Sequence, residues 1–267
     1  MEVDPGALVT DLGACGVVPR VQERVGDRLR EFVPFDDADA VKRAAGSVHG
    51  ILAATGSGVG DVGEVRGARR VPGTATLDHA GGQVNGVRVG ADRIGADAVV
   101  VAAGAWTAGV CAGLGVRLPV GPQRGQIVHA RLPGTETAAW PVVLPDRDPY
   151  LVAFPGGRVV FGATREQAGF AYHTTVGGVG SLLAGAAELA PGLREAELLE
   201  TRIGFRPVTG DGRPLLGPLA EGLIVATGHG PEGLTAGPWS GLAVALLALG
   251  QPPVTDLAPF DPSRFQA

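Results

Sequence analysis

Alternating and continuous apolar runs predict a series of β-strands from residue 68 onward. The segments "ARRVPGTATLD" and "QVNGVRVG" flank the turn "HAGG", a pattern typical of two neighbouring strands. In "RIGADAVVVAAG" a short strand runs into a continuous apolar one, as expected for a strand that is buried on both faces of a sheet. The pattern therefore predicts half-buried strands followed by one fully buried strand.

Further strands are predicted in the middle of the chain. The runs "RGQIVHARL", "PVVLP", "YLVAFP" and "GRVVFGAT" have strand length and are separated by Pro, Gly and Asp, which favours an antiparallel sheet. The segment "LETRIGFRPVTGDGRPLLG" predicts a strand, an Asp-Gly turn and a second strand, which together indicate a hairpin.

Helical spacing is confined to a few segments. After Gly104, "AWTAGVCAGLG" predicts a short helix that ends at glycine, and "GSLLAGAAELAPGL" predicts an amphipathic helix that stops at Pro191-Gly192. The apolar run "GLIVAT" leads through "GHGPEG" into "LTAGPWSGLAVALLALG", which predicts a strand, a glycine-rich loop and a helix. The unpaired N–H groups at such a helix start can hold an anion, although most glycine-rich turns only reverse the chain.

Residues 1–62 have poor periodicity, and no role is predicted for them. "GALVTDLGACGVV" and "VQERVGDRLREFV" fit helical spacing, and "ADAVKRAAGSVHGILAAT" fits a helix followed by a strand. Gly58, Gly60 and Gly63 have GxGxxG spacing with Asp78 further on, as in a dinucleotide or S-adenosylmethionine loop. Gly67 and Pro72 would interrupt the helix that this motif needs, so we interpret it as a coincidental match.

Composition excludes several classes of partner. The 267 residues are 45% hydrophobic and 18% charged, with a formal net charge of −5 and scattered Lys and Arg, which argues against nucleic acid or an anionic membrane surface as a partner. "MEVDPGALVT" lacks the features of a secretion signal, and the longest apolar run is too short for a bilayer span, so a cytoplasmic protein is expected. The two cysteines and five histidines have no metal-ligand spacing, so no metal site is predicted.

Five segments in order resemble one family of enzymes. "ADAVVVAAGAWT", "PQRGQIV", "YLVAFPGGRVVFGAT", "IGFRPVTGDGRPLLGP" and "LIVATGHGPEGLTAGP" are similar to motifs of the FAD-dependent amine oxidoreductases typified by D-amino acid oxidase, glycine oxidase and sarcosine oxidase. The resemblance covers about residues 63–255. It implies an α/β and α+β fold in which an incomplete FAD-binding domain with a parallel sheet (64–121 and 211–255) joins an antiparallel-sheet substrate domain (122–210) and an unassigned segment (1–63).

The resemblance also implies FAD as the cofactor. Backbone N–H groups at the start of the last helix would stabilise the negative charge that develops on the flavin when it accepts a hydride. Glycine after the buried strand would let bare backbone approach the cofactor, and this interpretation is favoured over that of a plain buried strand with small residues at its exit. The positions that match the family's cofactor site are Ala103, Gly104, Trp106, Arg124, Gly228, Gly230, Gly233, Leu234 and Thr235.

For the substrate, the resemblance implies a small amino acid or secondary amine with a carboxylate. Arg206 in "GFRP" matches the family arginine that pairs with this carboxylate, and Tyr150 matches a tyrosine that helps to hold it. Arg206 could instead pair with a surface acid, and Tyr150 could be a half-buried sheet aromatic. The implied reaction is hydride transfer from the amine to flavin, hydrolysis of the imine, and reoxidation by oxygen.

The chain departs from the family at its front, where residues 1–62 contain no recognisable FAD fingerprint. A start assigned too late, a degenerate remnant and a half that assembles with another chain or as a homo-oligomer are three open explanations. Pro231 and Glu232 also stand where some members have a basic residue. A catalytically inactive remnant, and a nucleotide- or S-adenosylmethionine-binding protein that uses the Gly58–Gly63 loop, remain as alternative functions.

Overall fold

The structure is a computed structural model, and it describes residues 71, 73–146 and 149–265 together with the backbone of three strands further upstream. The chain divides into two compact units, each described by itself below. The first unit comprises Met1–Pro119, Arg213–Thr227 and Glu232–Ala267, and the second comprises Val120–Gly212 and Gly228–Pro231.

The described strands and α-helices are numbered in chain order. The strands are β1 (Gln22–Val25), β2 (Arg28–Glu31), β3 (Ile51–Ala54), β4 (Ala75–Ala80), β5 (Gln83–Val89), β6 (Asp92–Gly95), β7 (Ala98–Val101), β8 (Val120–Arg131), β9 (Tyr150–Ala153), β10 (Arg158–Gly162), β11 (Glu197–Thr209), β12 (Leu215–Ala220) and β13 (Leu223–Thr227). The helices are α1 (Thr107–Cys111), α2 (Val176–Leu189) and α3 (Gly233–Ala248).

A four-stranded sheet forms the centre of the first unit. Its strand order is β12, β13, β7, β3, with β7 parallel to both β13 and β3 and with β12 antiparallel to β13. Val99 and Val101 of β7 are fully buried, and Val100 is nearly so. This confirms the buried strand that the continuous apolar run predicts, because a strand inside a parallel sheet needs apolar side chains on both faces.

Helix α3 follows β13 and packs on this sheet. The apolar cluster between α3 and the sheet also includes residues near the end of the chain. Its buried members are Val100, Leu216, Ile224, Ala243, Val244 and Leu257.

None of the helices in the described part of the chain has the length and hydropathy that a bilayer crossing requires.

The other predicted elements of the first unit are also observed. Strands β4, β5 and β6 form an antiparallel sheet, and the Gly81-Gly82 turn that links β4 to β5 has φ angles of 60° and 86°. Helix α1 lies between two short 3-10 turns and the last of these ends at Gly115, whose φ of 71° is the left-handed conformation expected at a glycine stop.

The second unit contains an antiparallel sheet with the strand order β11, β8, β10, β9. Helix α2 covers one face, and Thr175 caps the helix by accepting a hydrogen bond from the Gly178 N–H at 3.1 Å. Val128 of β8 and Leu182 of α2 belong to the buried cluster between them. We call this side of the sheet the helix face and the opposite side the far face.

Three sequence-based assignments are wrong. "PVVLP" forms only an isolated bridge from Val143 to Leu151, because two prolines remove N–H donors that a strand would need. "VQERVGDRLREFV" contains the antiparallel strands β1 and β2 rather than a helix, with a Gly-Asp pair between them in the sequence. The Asp-Gly turn after β11 does not close a hairpin, since β11 pairs with β8 and β12 pairs with β13.

Predictions for the front of the chain are only partly covered by the described residues. The strand predicted at the end of "ADAVKRAAGSVHGILAAT" is confirmed as β3, which extends the parallel sheet. The helices predicted in this segment and in "GALVTDLGACGVV", and the Gly58–Gly63 loop, lie outside the described residues.

Candidate functional site

The turn after β7 is fixed by two buried hydroxyl groups. Gly104 has a φ of 53° and begins a 3-10 turn. Its carbonyl oxygen accepts hydrogen bonds from Thr107 Oγ1 at 2.9 Å and from Thr227 Oγ1 at 2.8 Å. Since Thr227 is the last residue of β13, these contacts hold the ends of two neighbouring parallel strands in one arrangement.

Helix α3 begins directly after a 3-10 turn, Gly230–Glu232. Glu232 occupies the N-cap position of the helix without a capping hydrogen bond from its side chain. Leu234 is 86% exposed, and Thr235 is exposed as well. The first N–H groups of a helix have no intrahelical acceptor and lie at the positive end of its dipole, so this end of α3 is suited to bind negative charge.

Both features fit FAD in chemical terms. A Cβ at Gly104 would have no described heavy atom within 4 Å, so bare backbone faces open space at this turn. The α3 donors match the negative charge that a flavin gains on reduction. Gly228 and Gly230, in the loop before α3, have φ angles of 79° and 55°, which explains why glycine is needed at both.

Arg206 lies on the far face of the sheet in the second unit. Gly204 is opposite Gly125 in the β11–β8 pair, and Arg206, two residues further on, projects from the same face. A Cβ at Gly125 would lie 2.5 Å from Arg206 Nη1, so the guanidinium lies directly over bare backbone. Arg206 Nη1 also donates to the Thr164 carbonyl oxygen at 3.0 Å.

Tyr150 lies on this same face. It is opposite Gly162 of β10, and Gly162 is opposite Ile127 of β8, two residues from Gly125. A Cβ at Gly162 would lie 2.6 Å from Ile127 Cγ2, as expected if both project from one face. The register thus brings Tyr150 and Arg206 to one face of one sheet, with Tyr150 in the same row as Arg202 and Arg206 four residues further along β11.

Arg124 projects from the helix face instead, because it immediately precedes Gly125 on β8. The Arg124 side chain is buried; its Nε donates to Glu166 Oε2 at 2.7 Å, and its Nη1 donates to the carbonyl oxygens of Ala171 and His173 at 3.0 and 3.1 Å. Arg124 therefore anchors the chain around residues 166–173. Its contact with flavin stays a prediction.

Glu166 is held in its charged form by this environment. Burial raises the pKa of Glu166, but hydrogen bonds from Thr164, Gln126 and Arg124 outweigh burial and hold the pKa below its ordinary value. The fully buried Gln126 donates from Nε2 to Glu166 Oε1 at 2.6 Å. The carboxylate therefore neutralises the buried guanidinium of Arg124 at neutral pH.

His129 is neutral for a geometric reason. Its Nδ1 lies 2.9 Å from Arg158 Nη2, and a guanidinium can only donate, so Nδ1 must accept and the proton must be on Nε2. Within the described residues, this buried Nε2 has no hydrogen-bond partner. Burial lowers the pKa of His129, as do Arg158 and Arg202, while Glu200 opposes them.

We expect this histidine to make the protein sensitive to acid. The unfolded chain takes up a proton near the ordinary histidine pKa of about 6.5, whereas the folded chain does so only at lower pH. The stability that neutral His129 contributes is therefore complete above the ordinary histidine pKa of about 6.5 and is lost as the pH falls below it. Free energies of unfolding measured against pH should decline more steeply for the wild type than for His129→Gln, and parallel profiles would contradict this assignment.

The two units, with their separate sets of site residues, define a class of protein. A sheet with a parallel core followed by a helix, and an antiparallel sheet with an arginine over bare backbone, are the parts expected of an FAD-dependent oxidoreductase. Residues 61–247 match the model of the DAO family, described as FAD dependent oxidoreductase. The chain belongs to this family.

Individual relatives support the same conclusion. The chain is 42% identical over 204 residues to the oxidoreductase YurR of Bacillus subtilis, covering 75% of this chain and 55% of YurR. It is 34% identical over 235 residues to glycine oxidase of Geobacillus kaustophilus, covering 87% of this chain and 59% of that enzyme. The chain thus spans a little over half the length of these curated relatives.

A solved structure also resembles the chain closely. The crystal structure of iminodiacetate oxidase from Chelativorans sp. BNC1 has a TM-score of 0.68 and 42% sequence identity, and the match covers 71% of this chain and 52% of that one. The resemblance inferred from the ordered motifs is therefore confirmed.

Several structural residues escaped the sequence analysis. Thr107, Thr227, Thr164, Gln126 and Glu166 make the contacts that fix the candidate site, yet none was singled out. Apart from Thr107, which is three positions from Gly104, their partners lie far away in the sequence: Thr227 is 123 positions from Gly104, and Glu166 is 42 positions from Arg124. Only the position of Thr227 at the end of a predicted strand and before a glycine offered a signal.

Proposed function

We propose that the protein oxidises a small amino acid or secondary amine that carries a carboxylate, with FAD as the electron acceptor. The observation that carries this proposal is the Arg206 guanidinium over Gly125, on the same sheet face as Tyr150. A guanidinium offers two parallel N–H donors to a carboxylate, and a tyrosine hydroxyl can donate a third hydrogen bond. Two such groups on one rigid sheet would bind and orient the substrate.

The substrate class follows from these donors and from the relatives. Glycine and iminodiacetate, after which two of the relatives are named, both carry a carboxylate on the carbon next to an amine nitrogen. A carboxylate bound by Arg206 and Tyr150 would place that carbon at a fixed distance from the sheet. We therefore propose glycine-like primary and secondary amines as substrates.

The cofactor would be bound by the first unit. The Ala103–Gly104 turn would provide backbone contacts, and the N–H groups of Gly233, Leu234 and Thr235 would stabilise negative charge on the flavin. When bound, FAD would accept a hydride from the substrate carbon, and the resulting imine would be hydrolysed in water. Oxygen as the final acceptor, and Trp106 and Arg124 as further cofactor contacts, belong to the same proposal.

We assign FAD binding to residues 64–121 and 211–255, and substrate binding to residues 122–210. The division of the chain after Pro119 and after Gly212 supports this assignment, as do the parallel strand pairs, which among the described strands occur in the first unit. Because the chain spans a little over half the length of its relatives, a homo-oligomer or an additional N-terminal half to complete the site is part of the proposal.

Cofactor binding can be tested by thermal unfolding of the full chain. A ligand that binds only the folded state stabilises it by about 2.7 kcal/mol at roughly 100 times its Kd, so FAD should raise the Tm in a concentration-dependent way. S-adenosylmethionine and NAD should leave the Tm unchanged. A chain that is stabilised by S-adenosylmethionine or NAD and not by FAD would support the alternative use of the Gly58–Gly63 loop, and no response to any of them would support an inactive remnant.

A further inference from the structure

We propose that Thr164 is a positioning residue that holds the Arg206 guanidinium in the orientation needed to bind a carboxylate. This inference rests on the proposed function and adds a residue to it. The Thr164 carbonyl oxygen accepts a hydrogen bond from Arg206 Nη1 at 3.0 Å. One end of the guanidinium is thereby restrained by the Thr164 carbonyl group.

The Thr164 backbone is itself held by Gln126 of β8. The Thr164 N–H donates to the Gln126 carbonyl oxygen at 3.2 Å, and the Gln126 N–H donates to Thr164 Oγ1 at 2.9 Å. The Thr164 hydroxyl in turn lies within hydrogen-bonding reach of the Glu166 carboxylate. The threonine side chain is thus part of the arrangement that fixes its own carbonyl group.

A buried network on the helix face supports this arrangement. The Gln126 side chain donates from Nε2 to Glu166 Oε1 at 2.6 Å and to Thr175 Oγ1 at 3.0 Å, and its Oε1 accepts from the Thr175 N–H at 2.9 Å. Arg124 binds the other oxygen of Glu166. A network of hydrogen bonds anchored by the buried side chains of Gln126 and Arg124 is rigid, so a disturbance at Thr164 would not be absorbed by its neighbours.

The contacts of Thr164 connect the two faces of the sheet. Its carbonyl oxygen binds Arg206 on the far face, while its hydroxyl belongs to the network that includes Glu166 and Gln126. An arginine side chain loses considerable rotamer freedom when it is fixed. Restraint by Thr164 before the substrate arrives would reduce the ordering that substrate binding requires, and so increase affinity for the carboxylate.

Thr164→Val tests this role, because it removes the hydroxyl group and keeps the branched shape. Thr137→Val is the matched control: Thr137 is a buried threonine of the second unit, whereas Thr164 is half-buried, and the Thr137 Oγ1 donates to the Phe154 carbonyl oxygen at 2.5 Å without contacting the described network. Acetate is the probe, and its Kd for the full FAD-saturated chain is measured by calorimetry beside the Tm of each variant.

We expect Thr164→Val to raise the Kd for acetate roughly five- to tenfold, the effect of about one hydrogen bond, and Thr164→Ser to restore most of the affinity. Thr137→Val should lower the Tm to a similar extent and leave the Kd unchanged. In an Arg206→Ala background, Thr164→Val should have no further effect on the Kd, because the two residues act through one interaction.

Specific results would overturn the proposal. Equal Kd values for wild type and Thr164→Val, or an additive effect in the Arg206→Ala background, would show that Thr164 only stabilises the fold. If Thr164→Val fails to fold, the Kd for acetate is compared between wild type, Thr164→Ser and Glu166→Gln instead. Glu166→Gln is then expected to bind acetate more weakly than the other two. A wild type that binds acetate but oxidises no amine would contradict the proposed function alone, and a wild type that binds no acetate would contradict both.

Discussion

Replacing Arg206 with alanine is expected to raise the KM for an amino acid substrate roughly 100-fold. Hydrogen bonds to charged groups contribute about 1.5–3 kcal/mol each, and the loss of a bidentate pair would therefore cost about 3 kcal/mol of substrate binding. Bound FAD should be unaffected, because the assigned cofactor contacts at Gly104 and the α3 start belong to the first unit. Steady-state kinetics and the flavin content of the purified variant check both statements.

Two further variants make this prediction specific. Arg206→Lys keeps the charge but not the planar pair of donors, so an intermediate rise in KM of roughly tenfold is expected. Arg202→Ala is the matched control: Arg202 projects from the same face of β11, four residues away, and donates to Glu200 Oε1 at 2.7 Å. An equal rise in KM for Arg202→Ala and Arg206→Ala would contradict the assignment of the carboxylate specifically to Arg206.

Replacing Gly104 with alanine is expected to weaken FAD binding by more than about tenfold. A left-handed conformation costs an L-residue roughly 1–2 kcal/mol, so alanine would drive the turn towards another shape and displace the backbone that Thr107 and Thr227 hold. The Kd for FAD, measured by quenching of flavin fluorescence, checks the prediction. We expect a smaller loss for Thr227→Ser, which keeps the hydroxyl donor.

Gly115→Ala controls for the backbone strain. Gly115 has a φ of 71° against 53° for Gly104, and neither position has a described heavy atom within 4 Å of an added Cβ. Both substitutions should therefore lower the free energy of unfolding by similar amounts, while only Gly104→Ala weakens FAD binding. Equal losses of FAD affinity in the two variants would attribute the effect to stability and would contradict a cofactor contact at Gly104.

The elements that were predicted correctly are those whose signal is local. The apolar run of β7, the Gly81-Gly82 turn and the glycine stop after α1 depend on the properties of adjacent residues. The hairpin error came from segments whose partners decide their structure. β11 and β12 have the local pattern of a hairpin, but β11 pairs with β8 and β12 pairs with β13.

At the candidate site, too, the sequence identified residues but not the contacts that they make in the fold. The motif "GFRP" identified Arg206, but only the register of β8 and β11 reveals that its guanidinium needs Gly125 beneath it. Arg124 and Gly125 are neighbours in "QRGQ", yet their positions face opposite sides of the sheet, which a motif cannot express. The role of Thr164 depends on a bond from its main-chain carbonyl group, and the residue type does not encode such a bond.

The most direct test of the account is anaerobic mixing of the FAD-saturated chain with glycine or iminodiacetate. The account predicts that the visible absorbance of the oxidised flavin disappears and that one equivalent of glyoxylate forms for each flavin reduced, with Arg206→Ala requiring a far higher substrate concentration. A chain that binds FAD but whose flavin stays oxidised with every small amino acid and secondary amine would contradict it.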